Sequence, residues 1–324
     1  MKTFVVSALL IVVVVAMASF LSVRAQESSA VGRQPPAAAA PPAKPLYKIN
    51  LTTSFQVPEN PTGVAFDGEN IWMSAATAGS VVKLRASDGT NLGTFSVGAQ
   101  PMGMAFDGEN IWVANSYGNT VSKLRASDGK TLGTFSVGKM PWYLAFDGQN
   151  IWVTNVGEAT ISELRASDGT LAGTYRDKLG VGGIAFDGTY MWVTSYASTV
   201  VTRYRLDGKQ AGTFNVGLGP LNMAFDGANM WVANSKDLTV TELRASDGRV
   251  LGTFNTGNAE GPYGIAFDGK NLWIGGGAYI VEMRPRDGKL LLQENLGGGS
   301  LGSVGFDGAN TWVAGYAANV AYKL

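Results

Sequence analysis

Seven aspartates recur in the phrase Phe-Asp-Gly, and a tryptophan follows each of them five positions later. They are Asp67, Asp107, Asp147, Asp187, Asp226, Asp268 and Asp307. Carboxylate and amide oxygens close together, as in Asp-Gly-Glu-Asn, are ligands that calcium prefers. An Asp side chain can instead accept hydrogen bonds from the backbone of its own turn, which needs no ion. Because the seven phrases would lie in seven separate hairpins, we favour the turn interpretation and expect neither a metal nor another cofactor.

Chemistry that depends on histidine or cysteine is excluded, because the chain contains neither residue. This removes thiolate nucleophiles, imidazole bases, disulfides and the usual zinc sites. Acid–base catalysis would have to use carboxylates, and Glu158, Asp237 and Glu260 are the loop acids that depart from the repeated pattern. Two of them would have to lie within about 5 to 10 Å of each other across a pocket. We expect no catalytic residue and keep a carboxylate-only enzyme as an alternative.

The phrase recurs every 39 to 42 residues, and this period predicts the fold. Units of about 40 residues cannot each bury a core alone, so they pack against one another. The second copy contains four β-prone runs, which are Pro101–Gly108, Asn110–Asn115, Thr120–Gly129 and Thr131–Gly138. The Asp-Gly pairs in these runs supply the positive φ that tight hairpin turns require. Each copy is therefore a four-stranded antiparallel meander, A to D, typical of one blade of a β-propeller.

The size of the repeated side chains agrees with a ring of radial blades. Strand A carries a small residue at one position, namely Ala65, Ala105, Ala145, Ala185, Ala224, Ala266 and Gly305. Strand B carries the seven repeated tryptophans. Small residues near the axis and large ones further out suit blades that widen outwards. We expect the tryptophans to pack between blades, each burying about 150–250 Å².

The two ends of the propeller sequence complement each other. The last copy stops at Asn319–Leu324, which matches strand C, and Leu51–Val57 matches the missing strand D. The fold class predicted is all-β, a seven-bladed β-propeller of four-stranded antiparallel blades, closed by the N-terminal strand completing the C-terminal blade. Pairing the last edge within the chain removes an exposed template for aggregation.

Residues that break the repeat are the candidates for a binding site. Loops D–A and B–C open at one end of a propeller, and Trp142 is the only tryptophan outside the repeated set. Tyr143 beside it replaces a residue that is glycine in four other copies. The ligand-binding candidates are Met102, Trp142, Tyr143, Leu221, Asn222, Tyr263, Asn115, Asn155, Asn234, Tyr117 and Tyr196. Two alternatives stay open: the aromatic pair could plug the channel, and the asparagines could satisfy their own turns.

The N-terminal region has the features of an export signal. Lys2 precedes an apolar run that extends to about Val23, and Val23-Arg24-Ala25 has small residues at the positions that a signal peptidase reads. Residues 1–25 are therefore expected to be a signal peptide that is cleaved after Ala25. The alternative is an uncleaved membrane anchor. Residues 26–45 form a Pro/Ala-rich linker, and residues 46–324 form the propeller. We expect a secreted, periplasmic or cell-envelope protein with no other contact to the membrane.

The charges argue against a nucleic-acid partner. The chain has 25 basic and 25 acidic residues without a long run of either sign. The expected partner is a protein, a peptide or a glycan that aromatic side chains can contact.

The pattern Pro-x-Gly-Ile/Met-Ala-Phe-Asp-Gly-x-Asn-Ile-Trp-Val-Ala-Asn, followed by Val-x-Lys-Leu, resembles the blades of virginiamycin B lyase and of lyase-like, NHL and YVTN propellers. The resemblance covers about residues 47 to 324. It implies a metal-assisted general base that uses histidine and carboxylates on the top face. This chain departs from that pattern, because it has no histidine and because strand B ends in Ala, Asn, Ser or Gly where lyase blades often have Glu.

The function expected from the sequence is therefore an exported, non-enzymatic propeller that binds or scaffolds a partner through its aromatic top face. A lyase- or hydrolase-type enzyme that uses only carboxylates is one alternative. A structural component of the cell envelope is another.

Overall fold

The computed structural model describes residues 53–257, 261–297 and 299–324. These residues form 28 β-strands in seven four-stranded antiparallel sheets. The predicted signal peptide, the predicted linker and Glu260 lie outside the described residues. The described part of the chain has no helix of the length and apolarity that crossing a bilayer requires.

Each sheet is one blade, and in six of the seven sheets the sequence order of the strands is also their order in space. The chain starts with β1 (Thr53–Gln56). Blade 1 contains β2 (Pro61–Phe66), β3 (Asn70–Ala75), β4 (Ser80–Arg85) and β5 (Asn91–Ser96). Blade 2 contains β6 (Pro101–Phe106), β7 (Asn110–Asn115), β8 (Thr120–Arg125) and β9 (Thr131–Ser136). Blade 3 contains β10 (Pro141–Phe146), β11 (Asn150–Asn155), β12 (Thr160–Arg165) and β13 (Leu171–Arg176). Blade 4 contains β14 (Ile184–Phe186), β15 (Met191–Ser195), β16 (Val200–Tyr204) and β17 (Gln210–Asn215).

The remaining blades repeat this order. Blade 5 contains β18 (Pro220–Phe225), β19 (Asn229–Asn234), β20 (Thr239–Arg244) and β21 (Val250–Asn255). Blade 6 contains β22 (Gly264–Phe267), β23 (Leu272–Gly276), β24 (Tyr279–Arg284) and β25 (Lys289–Asn295). Blade 7 contains β26 (Leu301–Phe306), β27 (Thr311–Gly315), β28 (Val320–Lys323) and β1.

The blades form a closed ring. The first strand of each blade, strand A, contacts strand A of both neighbours, and β26 of blade 7 contacts β2 of blade 1. Strands B, C and D follow outwards. In blade 7, strand D is β1, which pairs with β28 in the register Thr53↔Lys323 to Gln56↔Val320. The predicted seven-bladed fold and its closure by the N-terminal strand are confirmed.

The core lies at the seven interfaces between blades, which we call seams and number by their two blades. Six of the repeated tryptophans are completely buried, and Trp273 is 9% exposed. Each of the six also packs against an aromatic ring of its own strand D, as Trp112 does with Phe135 at a centroid distance of 5.7 Å. At seam 3/4, Trp152 of blade 3 packs against Ile184 and Val193 of blade 4. The predicted packing of tryptophan between blades is confirmed.

The repeated aspartate joins its own turn to the tryptophan. In blade 2, Asp107 Oδ1 accepts hydrogen bonds from the backbone N of Glu109 at 2.9 Å and of Asn110 at 2.6 Å. Its Oδ2 accepts a hydrogen bond from Trp112 Nε1 at 2.7 Å. The same bond between carboxylate and indole occurs in all seven blades at 2.6–2.8 Å. The turn interpretation is confirmed, and the bond to the indole is an additional role that sequence reasoning missed.

Candidate ligand-binding face

Loops D–A and B–C lie together at one end of the ring. Tyr117 of a B–C loop donates its backbone N–H to Ala99 O of the preceding D–A loop at 3.2 Å, and Val97 N donates to Gly79 O at 2.9 Å. We call this end, with the first three residues of each strand A, the top face. Its D–A connections are residues 57–60, 97–100, 137–140, 177–183, 216–219, 256–257, 261–263, 296–297 and 299–300. Its B–C connections are residues 76–79, 116–119, 156–159, 196–199, 235–238, 277–278 and 316–319.

The two most unusual residues of the repeat, Trp142 and Tyr143, begin strand A of blade 3 and are both half-buried. Their rings are stacked, with centroids 5.8 Å apart and an interplanar angle of 17°. Tyr143 N donates a hydrogen bond to Thr154 Oγ1 at 3.2 Å, and this hydroxyl donates to Gly182 O of blade 4 at 2.7 Å. The Tyr143 ring also packs on the apolar cluster of seam 3/4. The pair is therefore fixed to the scaffold while part of its surface stays exposed.

Close approach of neighbouring A strands explains why most blades have glycine where blade 3 has Tyr143. A Cβ on Gly103 would lie 2.6 Å from Trp142 O and 2.9 Å from Tyr143 Cα. Blade 4 begins differently, because its strand A is only the three residues of β14 and is preceded by Gly182 and Gly183. Gly183 N donates to Leu221 O of blade 5 at 2.9 Å. A Cβ on Gly183 would lie 2.1 Å from this carbonyl oxygen, so the close approach of the next blade requires glycine here as well.

The Tyr143 hydroxyl is a candidate hydrogen-bond donor to a ligand. No residue in the described part of the chain accepts a hydrogen bond from it. Burial raises the pKa of Tyr143 to about 12, so the hydroxyl keeps its proton at neutral pH. A donor in poorly solvated surroundings binds an acceptor more strongly than it would in water. This position therefore suits a ligand that presents an oxygen acceptor beside a flat or apolar surface.

Tyrosines of other blades add to the aromatic surface. Tyr117 of blade 2 is 42% exposed. Burial raises the pKa of Tyr316 of blade 7, and the charge of Tyr117 raises this pKa further. Tyr196 of blade 4 lies under Lys236 of blade 5, with Nζ 4.5 Å from the ring centroid. Sequence reasoning placed these tyrosines at the same end of the ring, and it missed the contact of Tyr196 with Lys236 of the next blade.

The other strand A candidates differ in accessibility. Met102 and Asn222 are half-buried, Tyr263 is 38% exposed and Leu221 is buried with 4% exposure. Asn222 Oδ1 accepts a hydrogen bond from Met223 N at 2.9 Å. Leu221 contacts blade 4 through its backbone, because its carbonyl oxygen accepts a hydrogen bond from the hydroxyl of Thr194 at 2.9 Å. Met102 and Tyr263 thus offer more side-chain surface to a ligand than Leu221 does.

The three asparagines that end strand B point into their blades. Asn115, Asn155 and Asn234 are completely buried. Asn115 Nδ2 donates hydrogen bonds to Thr120 Oγ1 at 3.1 Å and Ser122 Oγ at 2.9 Å, while its Oδ1 accepts one from Gly98 N at 3.0 Å. Asn155 and Asn234 bind the corresponding strand C hydroxyls. These contacts favour the interpretation in which the amides brace the loops.

The two described loop acids accept hydrogen bonds from nearby residues. Glu158 Oε1 accepts the hydroxyl of Thr160 at 2.9 Å, and Asp237 Oδ2 accepts the backbone N–H of Leu218 at 2.6 Å. They belong to blades 3 and 5, and Glu260 lies outside the described residues. Within the ranges that the structure describes, no three acidic side chains are grouped so that they could hold a metal ion.

Solved structures share this architecture, whereas no protein-family model and no curated protein matches the sequence. Virginiamycin B lyase from Staphylococcus aureus has a TM-score of 0.72 and 16% identity, over 84% of this chain and 97% of that one. A catalytically inactive variant of that lyase with quinupristin, in which alanine replaces a histidine, has a TM-score of 0.73 and 16% identity over the same shares. Hydrazine synthase from Kuenenia stuttgartiensis has a TM-score of 0.70 and 18% identity, over 86% of this chain and 98% of that one. At these identities the likeness concerns the fold, and the chain has the seven-bladed β-propeller fold found in virginiamycin B lyase.

Proposed function

We propose that this protein is an exported, non-enzymatic propeller that binds a protein, a peptide or a glycan at its top face. The observation that carries the proposal is the Trp142–Tyr143 pair. It breaks the repeat, its rings are stacked, and it combines exposed aromatic surface with a phenol hydroxyl that has no acceptor among the described residues. Aromatic surface with a few polar groups is the usual composition of a ligand site.

The lack of histidine argues against lyase chemistry of the kind that the fold hosts elsewhere. The lyase variant with alanine in place of a histidine is described as catalytically inactive. This chain contains no histidine at any position. Glu158 and Asp237, the off-pattern loop acids that the structure describes, are hydrogen-bonded within loops of separate blades. Binding without catalysis is the function that these residues support best, and export rests on the predicted signal peptide.

The test compares variants of the binding pair on a glycan array and on an array of immobilised peptides. We expect Trp142→Ala to weaken the ligands found with the natural protein about tenfold, which corresponds to about 1.4 kcal/mol. Tyr143→Phe removes only the hydroxyl and should weaken those ligands that present an acceptor. Leu132→Ala, on the exposed outer strand of blade 2, is the matched control and should bind as before. Unchanged binding of every ligand by both binding-pair variants would refute this placement of the site.

A further inference from the structure

A buried cation of strand C ties one blade to the next at four seams. It stands directly opposite the strand B tryptophan, and the four residues are Lys83, Lys123, Arg203 and Lys323. Lys123 Nζ donates hydrogen bonds to Ala166 O at 2.7 Å and Ser167 O at 3.4 Å, both in the C–D hairpin of the next blade. The other three cations make the equivalent contacts, so seams 1/2, 2/3, 4/5 and 7/1 are tied in this way.

A hydroxyl of strand B forms a second kind of tie, to a backbone carbonyl at the start of the next blade. The pairs are Ser74 with Met102 at seam 1/2, Thr154 with Gly182 at seam 3/4 and Thr194 with Leu221 at seam 4/5, at 2.5–2.9 Å. Together the two kinds of tie cover five of the seven seams. Among the described residues, seams 5/6 and 6/7 have neither kind, and these are the two seams that flank blade 6.

The residues of blades 5 and 6 explain why both ties are missing there. Glu242 and Glu282 stand where the other blades have a cation, and Ala233 and Gly275 stand where the hydroxyls occur. Each glutamate accepts a hydrogen bond on Oε1 from an asparagine of its own blade, at 2.8 Å and 2.6 Å. These bonds stay within one blade and therefore hold no neighbour.

The hairpin that would receive the cation changes together with the cation. All four cations meet an Ala-Ser pair, whereas blade 6 has Pro285-Arg286 at that place. Blade 7 has no C–D hairpin, because its strands C and D are β28 and β1. At seam 6/7, Tyr322 OH donates a hydrogen bond to Leu296 O at 3.1 Å, which holds the connection after β25 but no strand of blade 6.

Blade 6 is also less completely satisfied inside. Glu294 stands at the register that Phe254 occupies in blade 5, and Trp273 is the one repeated tryptophan that is not completely buried. Oε2 of Glu282 and Oε1 of Gln293 are buried without a hydrogen-bond partner among the described residues. Unpaired polar atoms in the interior are costly, so they lower the stability of this blade in particular.

We propose that blade 6, from β22 to β25, opens locally as a unit while the other six blades stay closed. Apolar clusters still join it to blades 5 and 7, but segments with few specific contacts open at a lower free energy than the whole molecule. Tyr263 N donates to Gly275 O at 2.8 Å, so this ligand-binding candidate moves with blade 6. Trp142 and Tyr143 belong to blade 3, which Lys123 ties to blade 2. Opening would therefore change the spacing of the aromatic groups on the top face.

Hydrogen–deuterium exchange of the full chain, followed peptide by peptide with mass spectrometry, tests the proposal without any ligand. We expect the amides of β23 and β24 to exchange at least about tenfold faster than those of β7 and β8, the equivalent strands of blade 2, which has a tie on both sides. Equal exchange rates in the two blades would overturn the proposal.

A rebuilt tie at seam 5/6 tests the cause. The variant combines Glu242→Lys with Pro285→Ala and Arg286→Ser, which gives this seam the cation and the Ala-Ser pair of the tied seams. Exchange of β23 and β24 should become slower, and exchange of β7 and β8 should not change. If β23 and β24 exchange as fast as before in this folded variant, the missing tie is not what lets blade 6 open.

Lys123→Met is the matched variant in the opposite direction, because it removes the tie of seam 2/3 and keeps a long side chain. Exchange of β8 should become faster, while β23 and β24 should exchange as before. This arm decides the question even if the rebuilt variant does not fold. No change in β8, or an equal increase in all blades, would show that the ties do not determine which blade opens.

Discussion

At the scale of single residues, the repeated aspartate illustrates how one side chain can serve several needs. Asp107 satisfies two backbone N–H groups of its turn and the indole N–H of Trp112. The indole is completely buried, so without the carboxylate its N–H would have no partner. One carboxylate in each blade thus stabilises both the hairpin turn and the buried tryptophan.

We expect Asp107→Ala to destabilise the propeller by about 1–3 kcal/mol, because it leaves the buried indole N–H unpaired. Asp128→Ala is the matched control, since Asp128 also follows a strand and precedes glycine but lies on the surface. The measurement is urea denaturation of both variants beside the natural protein. An equal loss of stability in the two variants would contradict the role assigned to the indole bond.

At the scale of strands and seams, blades with nearly the same sequence meet through different contacts. At seams 7/1 and 2/3, a valine just after strand D of the first blade packs with a leucine at the end of strand C of the second blade. At seam 7/1 these residues are Val57 and Leu84. Seam 3/4 has Asp177 and Tyr204 in these places. Tyr204 OH donates a hydrogen bond to Asp177 Oδ2 at 2.7 Å, and both residues are buried. Two departures from the repeat, 27 positions apart, compensate each other.

The pair predicts a non-additive result. Asp177→Val leaves a buried hydroxyl unpaired. Tyr204→Leu leaves Oδ2 of the buried Asp177 carboxylate unpaired, while Oδ1 keeps its hydrogen bond from Leu179 N. Each single variant should therefore lose about 1–3 kcal/mol of folding free energy. The double variant recreates the apolar contact of the other seams and should recover most of the loss. Thermal and urea denaturation of the three variants measure the coupling. Losses that simply add in the double variant would show that the two residues do not act as a pair.

At the scale of the whole molecule, the ring depends on a strand that comes from the far end of the propeller sequence. Phe55 of β1 stacks on Trp312 of blade 7 at 5.7 Å, and Val57 packs with Ile71 and Leu84 of blade 1. The same short segment therefore completes blade 7 and closes seam 7/1. Without it, β28 would still pair with β27, but its outer edge would be exposed and unpaired.

We expect a chain of residues 58–324 to be less stable than residues 46–324 by at least about 3 kcal/mol, because it lacks the buried surface of Phe55 and Val57. Its free β28 edge should also make it associate. Thermal denaturation and light scattering of the two chains test this, with the full chain as reference. Equal stability and a monomeric shorter chain would mean that β1 does not hold the ring closed.

Much of the fold could be predicted because it depends on local signals. Asp-Gly turns such as Asp107-Gly108, where Gly108 has a φ of 98°, mark the hairpins, and the period of the phrase counts the blades. The match of Leu51–Val57 to strand D predicts the closure, because the last copy lacks that strand. The candidate site could be predicted only as a set of unusual residues, since a departure from the repeat marks a position without showing what it faces.

The sequence alone determined the number of blades, the order of their strands and the closure, because turn residues and strand alternation act within about 40 residues. Only the tertiary structure decided which side chains meet across the seams. It turned Asn115, Asn155 and Asn234 inwards, stacked Trp142 on Tyr143, and left one oxygen of Glu282 without a partner among the described residues. The physical reason is that these contacts join residues of different strands and different blades, and their distances are set by the packing of twisted sheets around the ring.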